Sequence, residues 1–525
     1  MSRPTKPASA TARSRSLFRY SPALILVAIA IADADRLADP DLWWHLRVGQ
    51  AVLAQGHPPW LNLHSYAVPA NPFIDTQWLA EVLMALAYNA LGVFGLKILK
   101  LLCTGSTILF LAVAMGETGA PTLVQFGVLT GSAVAMAWVM EFRPLLFTFA
   151  LLSAMLAMLA RENRGRRTAL WLTIPMLAVW ANLHGGFIMG LAALGVFSTV
   201  VCARDVVAGR GLARAFRLFG ITAAAALATL ITPYGVETWL AIVRALRNPY
   251  TRVVISEWQS LPTAILGQWH SRPGGVVYIA IAVILFAALA ISLWLAPTAD
   301  DLPLVAFAGV TIVSAYMAVR NLPIAVIATA TPLTRHLGLA VADWRTKRGR
   351  PADPSPQRAS PGNQLAMTAI AIVIAIESGF FSNRLESGDT CPVGAVRFMK
   401  EHHLHGKVLN NFIWNGYLIW HLEPASRIFI DGRYDFAYPV SFIGEYLRFH
   451  FALPGGAQVL EKYPPDYVLI SPREGAFKLM ESRSGWKLIY RDGRSALFTR
   501  ADSPAAQLPG VPLIVNGKAP ACYFP

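Results

Sequence analysis

The sequence predicts an α-helical membrane protein of about eleven spans, followed by a C-terminal α/β domain. The 525 residues are 55% hydrophobic and only 14% charged, whereas soluble domains carry about 25% charged residues. Apolar stretches of roughly 20 residues, the length that crosses a bilayer, recur as far as residue 380. Beyond that point the charge rises, and short strand-like and helix-like segments alternate.

Composition excludes three other classes of protein. The chain is too apolar for intrinsic disorder, and four cysteines are too few for a disulfide-stapled secreted module. The formal net charge of +15 is spread over short loops and an N-terminal arm, whereas nucleic-acid-binding domains concentrate their charge on one face. No nucleic acid is therefore expected among the partners.

Residues 20–380 form the predicted membrane domain, with residues 35–95 as its first outer loop. The predicted spans are Tyr20–Ala34, Leu96–Met115, Pro121–Met140, Pro144–Ala160, Ala169–Leu183, Phe187–Cys202, Leu218–Thr232, Val276–Leu295, Leu302–Ala318, Leu322–Ala340 and Ala366–Phe380. Ala-Asp-Ala at 32–34 also resembles a signal cleavage site, and cleavage there would leave the other spans unchanged. The apolar segment Trp78–Leu91 is short and carries Glu81, so it either crosses or lies along the outer interface.

Basic segments decide between these two placements, because cytoplasmic loops are enriched in Lys and Arg. The arm 1–19, Arg161–Arg167, Arg204–Arg217 and the Pro-rich basic link 342–364 share one side only if Trp78–Leu91 does not cross. We therefore predict that Trp78–Leu91 is interfacial, that the N-terminus is cytoplasmic, and that the C-terminal domain lies outside.

Residues 381–500 are predicted to form the outer α/β domain. The predicted strands are Val408–Ile413, Arg427–Asp431, Tyr467–Ile470, Trp486–Tyr490 and Ser495–Thr499, and the predicted helices are Val440–His450 and Gly456–Tyr463. An outer location permits a disulfide between Cys391 and Cys522, although the spacing does not establish one. The tail 501–525 is expected to be loosely ordered.

Polar side chains cluster at the outer ends of the predicted spans. The clusters are Asp39–His45, Glu141–Pro144, Trp180–Gly186, Thr232–Gly235, Glu257–Trp258 and Arg320–Asn321. Ionisable groups near membrane depth are costly, so such a set indicates a functional site. Anchoring at the interface is the alternative, and it explains the Trp residues better than it explains Asp39, Asp41, His45 and His184.

Two acids flanking a proline open the first cluster. Either Asp39 or Asp41 can act as a general base, because burial beneath aromatic rings raises the proton affinity of a carboxylate. Alternatively Asp39 caps a helix that has Pro40 at its first position. Both can hold, with Asp39 capping and Asp41 acting.

Cationic and hydrogen-bonding groups in the other clusters suit a phosphate. Arg143 and Arg320 lie where spans meet the outer interface, and a guanidinium is planar and permanently charged. His184 and Asn182 lie in a short Gly-rich turn and can donate to an anion. The alternatives are interfacial anchoring for the two arginines and a plain helical hairpin for the turn.

These motifs together resemble a group of bacterial multi-spanning proteins. The shared strings are DPDLWWHLR-x-G (39–49), SY (65–66), QWLAE (77–81), WANLHGGF (180–187), PYG (233–235), EW (257–258), RN (320–321), NGYL (415–418) and IDGR (430–433). That group is similar to the GT-C class of membrane glycosyltransferases, which includes protein O-mannosyltransferases and the lipid A aminoarabinose transferase.

The resemblance implies an enzyme that moves a sugar from a polyprenyl-phosphate carrier to an acceptor outside the bacterial inner membrane. It places an acidic base in the first outer loop, here Asp39 or Asp41. Position and charge add His184, Arg143 and Arg320 as partners of the donor phosphate. The remaining outer polar and aromatic groups are predicted to bind the acceptor or the sugar: His45, Asn182, Gln77, Tyr234 and Trp258.

Two other functions compete with this one. A transporter or flippase of a lipid-linked sugar would use the same cations, although no internal repeat of the kind common in transporters is found. A non-catalytic envelope assembly protein would bind a partner through its outer domain. The chain has no nucleotide-binding or zinc-binding motif, so no metal ligand is assigned, and a divalent metal is left open as a cofactor.

Overall fold

The computed structural model describes residues 40–137, 140–166, 168–251, 255–271, 273–349, 385–386, 391–508 and 522–524. Several predicted features lie outside these residues: the basic arm, Asp39, the spans Tyr20–Ala34 and Ala366–Phe380, residues 350–364 of the Pro-rich basic link, and residues 509–521 of the tail.

Twelve α-helices make up the described membrane part of the chain. In order they are α1 (Leu42–Gln55), α2 (Trp78–Gly116), α3 (Thr122–Met136), α4 (Leu145–Asn163), α5 (Thr173–Leu183), α6 (Phe187–Val207), α7 (Ala213–Ala228), α8 (Glu237–Arg247), α9 (Leu261–Ser271), α10 (Pro273–Leu295), α11 (Leu302–Met317) and α12 (Leu322–Lys347). Within the described ranges, five helices are long and apolar enough to cross a bilayer, and three apolar helices are shorter. The prediction of a multi-pass helical membrane protein is confirmed, while the number of spans stays a prediction.

Helix α2 is broken at Gly92, which separates the ambiguous segment Trp78–Leu91 from the span that follows. Gly92 has φ 60° and ψ −143°, a backbone conformation that residues with a Cβ rarely adopt. The chain turns so sharply here that a Cβ on Gly95 would overlap the carbonyl of Ala87. Trp78–Leu91 is therefore a helix with its own direction, and its interfacial placement stays a prediction.

Two helices of the membrane part, α8 and α9, were not predicted, and both lie between two predicted spans. Helix α1 lies within the predicted first outer loop, close to the helix start that the capping alternative placed at Pro40. Helix α8 buries Thr238, Ala241, Ile242 and Ala245, but charged residues in its first and last turns lower its mean hydropathy. An amphipathic helix of this length does not give the signal of a membrane span.

The C-terminal region folds around a five-stranded mixed sheet. Its elements are β1 (Leu385–Glu386), α13 (Val393–Glu401), β2 (Lys407–Asn410), α14 (Asn415–Leu422), β3 (Arg427–Ile428), α15 (Tyr434–Ala437), α16 (Val440–His450), α17 (Gln458–Lys462), β4 (Tyr467–Ile470), α18 (Gly475–Glu481), β5 (Trp486–Arg491), β6 (Ala496–Arg500) and β7 (Tyr523–Phe524). The strand order is β3-β2-β4-β6-β5, with β2 parallel to both β3 and β4 and the other pairs antiparallel. All five predicted strands and both predicted helices are present, so the α/β class is confirmed.

The end of the tail is ordered, and the expectation of a loosely ordered tail is wrong for residues 522–524. Strand β7 pairs with β1, and Cys522 forms a disulfide with Cys391, with the two Cα atoms 5.7 Å apart. Phe524 is fully buried, and its ring lies 5.5 Å from the rings of Trp43 and Trp420. The tail thus joins the outer domain to α1.

Further contacts hold the outer domain against the first outer loop. Ser65 donates its hydroxyl to the carbonyl of Phe429 at 2.8 Å, and Arg47 of α1 donates to the carbonyl of Trp420 at 2.8 Å. Arg433 donates to the side chain of Asn62. The outer domain and the start of the membrane part therefore pack as one unit around residues 40–75.

Candidate functional site

The carboxylate of Asp41 stands at the start of α1. The helix begins at Leu42, two residues after Pro40, and Asp41 makes no capping hydrogen bond through its side chain. Instead its Oδ1 accepts a hydrogen bond from the indole of Trp44 at 2.9 Å. The side chain is 25% exposed, so Asp41 is accessible for chemistry, as the base assignment requires.

Arg143 connects Asp41 to two further acids. Its Nη1 donates to Glu257 Oε1 at 2.8 Å, and its Nη2 lies 3.4 Å from Glu141 Oε2 and 3.9 Å from Asp41 Oδ2. The charge of Arg143 lowers the pKa of Glu257, against the opposing effect of burial. The guanidinium thus stands among three carboxylates, within 4 Å of the candidate base.

Arg320 lies beside this cluster on a short 3-10 helix, Val319–Asn321. Its guanidinium stacks over the ring of Trp258, 4.3 Å from the centroid, and its charge also lowers the pKa of Glu257. The amide of Val319 donates to the carbonyl of Gln259 at 2.9 Å. This bond joins the two short segments that carry Trp258 and Arg320.

His184 is a neutral hydrogen-bond donor rather than a cation. Its Nδ1 accepts a hydrogen bond from the amide of Gly186 at 3.0 Å and also contacts the hydroxyl of Thr148 at 2.9 Å. A ring nitrogen that accepts carries no proton, so the proton of the neutral ring is on Nε2. Burial, helped by the charge of Arg320, lowers the pKa of His184 to about 3. The predicted cationic contact to a phosphate thus falls to the two arginines.

His45 faces a pair of buried carboxyl groups. Its Nδ1 lies 2.8 Å from Glu81 Oε1, and both side chains are almost fully buried. Burial lowers the pKa of His45 well below 6.5, and the charge of Arg143 lowers it further. The carboxyl group of Asp75, 1% exposed, lies near enough to that of Glu81 for the two acids to act on each other electrostatically. His45 therefore contacts Glu81 and lies within electrostatic reach of Arg143.

The other residues predicted to bind acceptor or sugar lie around the same region. Asn182 accepts a hydrogen bond from the indole of Trp78 at 2.9 Å and donates to two carbonyl groups. The hydroxyl of Tyr234 donates to the carbonyl of Pro59 at 2.7 Å, and the backbone N–H of Gln77 donates to the carboxylate of Asp75 at 3.0 Å. Asn182 and Tyr234 thus tie the scaffold together here, and their substrate contacts stay predictions.

The outer domain comes directly against the candidate base. A Cβ on residue 432 would overlap Asp41 Oδ1 and would lie 3.0 Å from the indole nitrogen of Trp44. Only glycine permits this approach. Next to it, the buried Arg433 donates to both carboxylate oxygens of Asp431, at 2.9 and 2.6 Å. The IDGR string is therefore part of the site, a role that sequence reasoning did not assign.

Asp75 was missed as a site residue. It stands six positions before Glu81, in a loop between two helices, and only folding brings the two carboxyl groups together. Within the described part of the chain, no group of three or more His, Cys, Asp or Glu side chains is arranged to hold a metal ion. Arg204, from a predicted cytoplasmic segment, lies elsewhere and donates to the carbonyl of Asp300 at 3.1 Å. Arg335 of α12 lies 3.8 Å from the carboxylate of the same residue.

Comparison with protein-family models finds no match, and comparison with curated proteins also finds none. Solved structures do share the fold. The arabinofuranosyltransferase AftD from Mycobacteria is 15% identical at a TM-score of 0.53, and the match covers 93% of this chain but only 40% of AftD. The apo oligosaccharyltransferase of Archaeoglobus fulgidus is 11% identical at 0.53, covering 93% of this chain and 75% of that one.

A third match is the apo form of ArnT from Cupriavidus metallidurans, 14% identical at a TM-score of 0.50, covering 93% of this chain and 98% of ArnT. At sequence identities this low, the similarity shows a shared fold and not a shared function, because one fold can carry unrelated functions. The chain has the GT-C fold of these membrane glycosyltransferases.

Proposed function

We propose that this protein is a membrane glycosyltransferase that moves a sugar from a polyprenyl-phosphate donor to an acceptor outside the cytoplasm. One observation carries the proposal: the accessible carboxylate of Asp41 lies 3.9 Å from Arg143, beneath the outer domain of a GT-C fold. A base for an acceptor hydroxyl and a cation for a phosphate are thus side by side.

The chemistry needs both groups at once. The bond between the anomeric carbon and the phosphate oxygen breaks, and the phosphate leaves with the electron pair. Positive charge grows on the sugar ring as the acceptor oxygen attacks. Asp41 takes the proton of the acceptor hydroxyl, and Arg143 and Arg320 stabilise the phosphate as it leaves. Because a phosphate leaves as a stable anion, no strong acid is required.

The surrounding groups suit the two substrates. His184 offers Nε2–H to an oxygen of the phosphate or the sugar. Trp258, held by Arg320, presents an aromatic ring of the kind on which sugar rings pack. His45, Asn182, Gln77 and Tyr234 are assigned to the acceptor or the sugar. We place the protein in the bacterial inner membrane, with its N-terminus in the cytoplasm and its outer domain in the periplasm.

The test is sugar transfer by the purified protein from a panel of labelled polyprenyl-phosphate sugars. We expect Asp41→Asn to abolish transfer and to leave donor binding intact, and Asp39→Asn to show whether that neighbour shares the role. Asp343→Asn is the matched control, because Asp343 is exposed and bonded to Lys347 on α12. Transport of the lipid that survives Asp41→Asn, with no transfer by the wild type, would refute the proposal in favour of a transporter.

A further inference from the structure

A buried pair of carboxyl groups, Asp75 and Glu81, lies behind the proposed site and has no part in the mechanism above. The exposed fraction is 1% for Asp75 and 0% for Glu81. One oxygen of each carboxyl group already has a hydrogen-bond partner. Asp75 Oδ1 accepts from the backbone N–H of Gln77 at 3.0 Å, and Glu81 Oε1 lies 2.8 Å from His45 Nδ1. For two buried acids this near each other, the protonation state of each has to be explained.

The remaining oxygens have no donor. Among the described residues, no N–H or O–H group donates to Asp75 Oδ2 or Glu81 Oε2, and both atoms are buried. The two carboxyl groups also lie near enough to act on each other electrostatically. Ionised carboxylates only accept, so a proton on one of the two acids supplies the donor that the other lacks. Two such groups this close do not both ionise, as in other carboxyl dyads. The pair therefore holds one proton and one negative charge.

That charge determines the tautomer of His45. The proton of the pair is used between the two acids, which leaves Glu81 Oε1 as an acceptor. His45 Nδ1 must then carry the ring proton and donate it to Glu81. The neutral ring consequently has its lone pair on Nε2, the nitrogen farther from Glu81. The charge of Arg143 lies near enough to act electrostatically on this ring, so His45 borders the proposed donor site.

We propose that Asp75 and Glu81 are positioning residues, which share one proton and fix His45 as the Nδ1–H tautomer so that Nε2 accepts a hydrogen bond from a substrate hydroxyl. The proposal deepens the function proposed above and rests on it for the identity of the substrate. The substrate class it specifies is a hydroxyl-bearing group, either of the sugar or of the acceptor, and no proton is transferred through the pair. His184 does the reverse, because its Nε2–H donates. His45 would therefore recognise a hydrogen-bond donor of the substrate, and His184 an acceptor.

Two spectroscopic measurements on the substrate-free protein test the tautomer and the shared proton. In ¹⁵N-histidine spectra at neutral pH, the signal lost in His45→Gln should show a protonated Nδ1 and an unprotonated Nε2. Infrared spectra should show a protonated carboxyl band that disappears in both Glu81→Gln and Asp75→Asn. A His45 with protonated Nε2, or infrared spectra in which neither variant removes a band, would overturn the proposal.

Kinetics of two matched variants then test the positioning role. In Glu81→Gln the side-chain carbonyl can still accept from His45, and the side-chain NH2 group can donate to Asp75. This variant should therefore keep kcat/KM within about threefold of wild type. Glu81→Met fills similar space without those bonds and should lower kcat/KM by roughly tenfold or more, the value of a lost hydrogen bond to a fixed partner. Equal effects of the two variants would overturn the positioning role.

The two proposals fail in different ways. The spectra need no substrate, so they report on the carboxyl pair whether or not the protein transfers sugar. A chain with the expected spectra and no transfer from any donor would refute the proposed function alone. A chain that transfers sugar but has the opposite tautomer would refute the positioning proposal alone.

Discussion

Arg433→Met is expected to weaken the outer domain severely, because it leaves the charge of Asp431 buried without its partner. Arg433 is 3% exposed and Asp431 0%, and the guanidinium makes two hydrogen bonds to the carboxylate, at 2.9 and 2.6 Å. Removing one partner of a buried ion pair costs about 3–5 kcal/mol. The ratio of folded to unfolded outer domain should therefore fall by roughly a hundredfold or more.

Pulse proteolysis of the full-length protein across a urea series measures this loss. Arg244→Met is the control, because its ion pair with Glu237 is exposed, and it should cause no measurable loss. Asp431→Leu combined with Arg433→Met removes both charges and should recover at least half of the stability lost in the single variant. A loss below about 1 kcal/mol in Arg433→Met, or a double variant less stable than the single one, would refute the reasoning.

The same pair predicts how stability depends on pH. Burial raises the pKa of Asp431, but the charge and hydrogen bonds of Arg433 outweigh it and leave the pKa below its ordinary value. A carboxyl group with a lowered folded-state pKa stabilises the fold above its unfolded pKa of about 4, and this contribution is lost as the pH falls below that value. Wild type should lose stability over this acid range, and Arg433→Met should lose less. An equal acid-induced loss in the two proteins would contradict the assignment.

Three further outcomes are expected. Gly432→Ala should lower sugar transfer by about tenfold or more with donor binding retained, because its Cβ would overlap the carboxylate of Asp41; unchanged transfer would contradict the contact. Arg143→Gln should weaken binding of a polyprenyl phosphate by roughly 10- to 100-fold, the value of a hydrogen bond to a charged group, as measured by titration in detergent micelles. A thiol probe on the unfolded, unreduced protein should label two of the four cysteines, and all four after reduction, because Cys391 and Cys522 are joined; labelling of four before reduction would contradict this.

Regular elements with a strong local pattern were predictable from the sequence. Val440–His450 and Tyr467–Ile470 occur with the predicted bounds, because each combines a clear hydrophobic pattern with turn-forming residues at its ends. Helix α8 was not predicted because Glu237 in its first turn and Arg244 and Arg247 in its last turn leave too short an apolar stretch for a span. The order of the tail depends on Phe524 reaching a distant aromatic cluster, and no local pattern encodes that contact.

The candidate site was predictable in location but not in its pairings. Asp41, Arg143 and Arg320 were expected together because all three fall at the outer ends of predicted spans, and the structure links them through Glu257 and Trp258. The sequence did not indicate that His184 would be neutral, since its protonation depends on Gly186 and on burial. The partnership of Asp75 with Glu81 depends on the path of the loop between two helices, which hydrophobic periodicity does not specify.

The most direct test of the proposed site is a cryo-electron microscopy structure of the protein with a polyprenyl phosphate bound. The account predicts the phosphate within about 3 Å of a guanidinium nitrogen of Arg143 or Arg320, with the carboxylate of Asp41 facing the space where a sugar would attach. A phosphate held at the other end of the helices, near Arg204 and Arg335, would contradict the account.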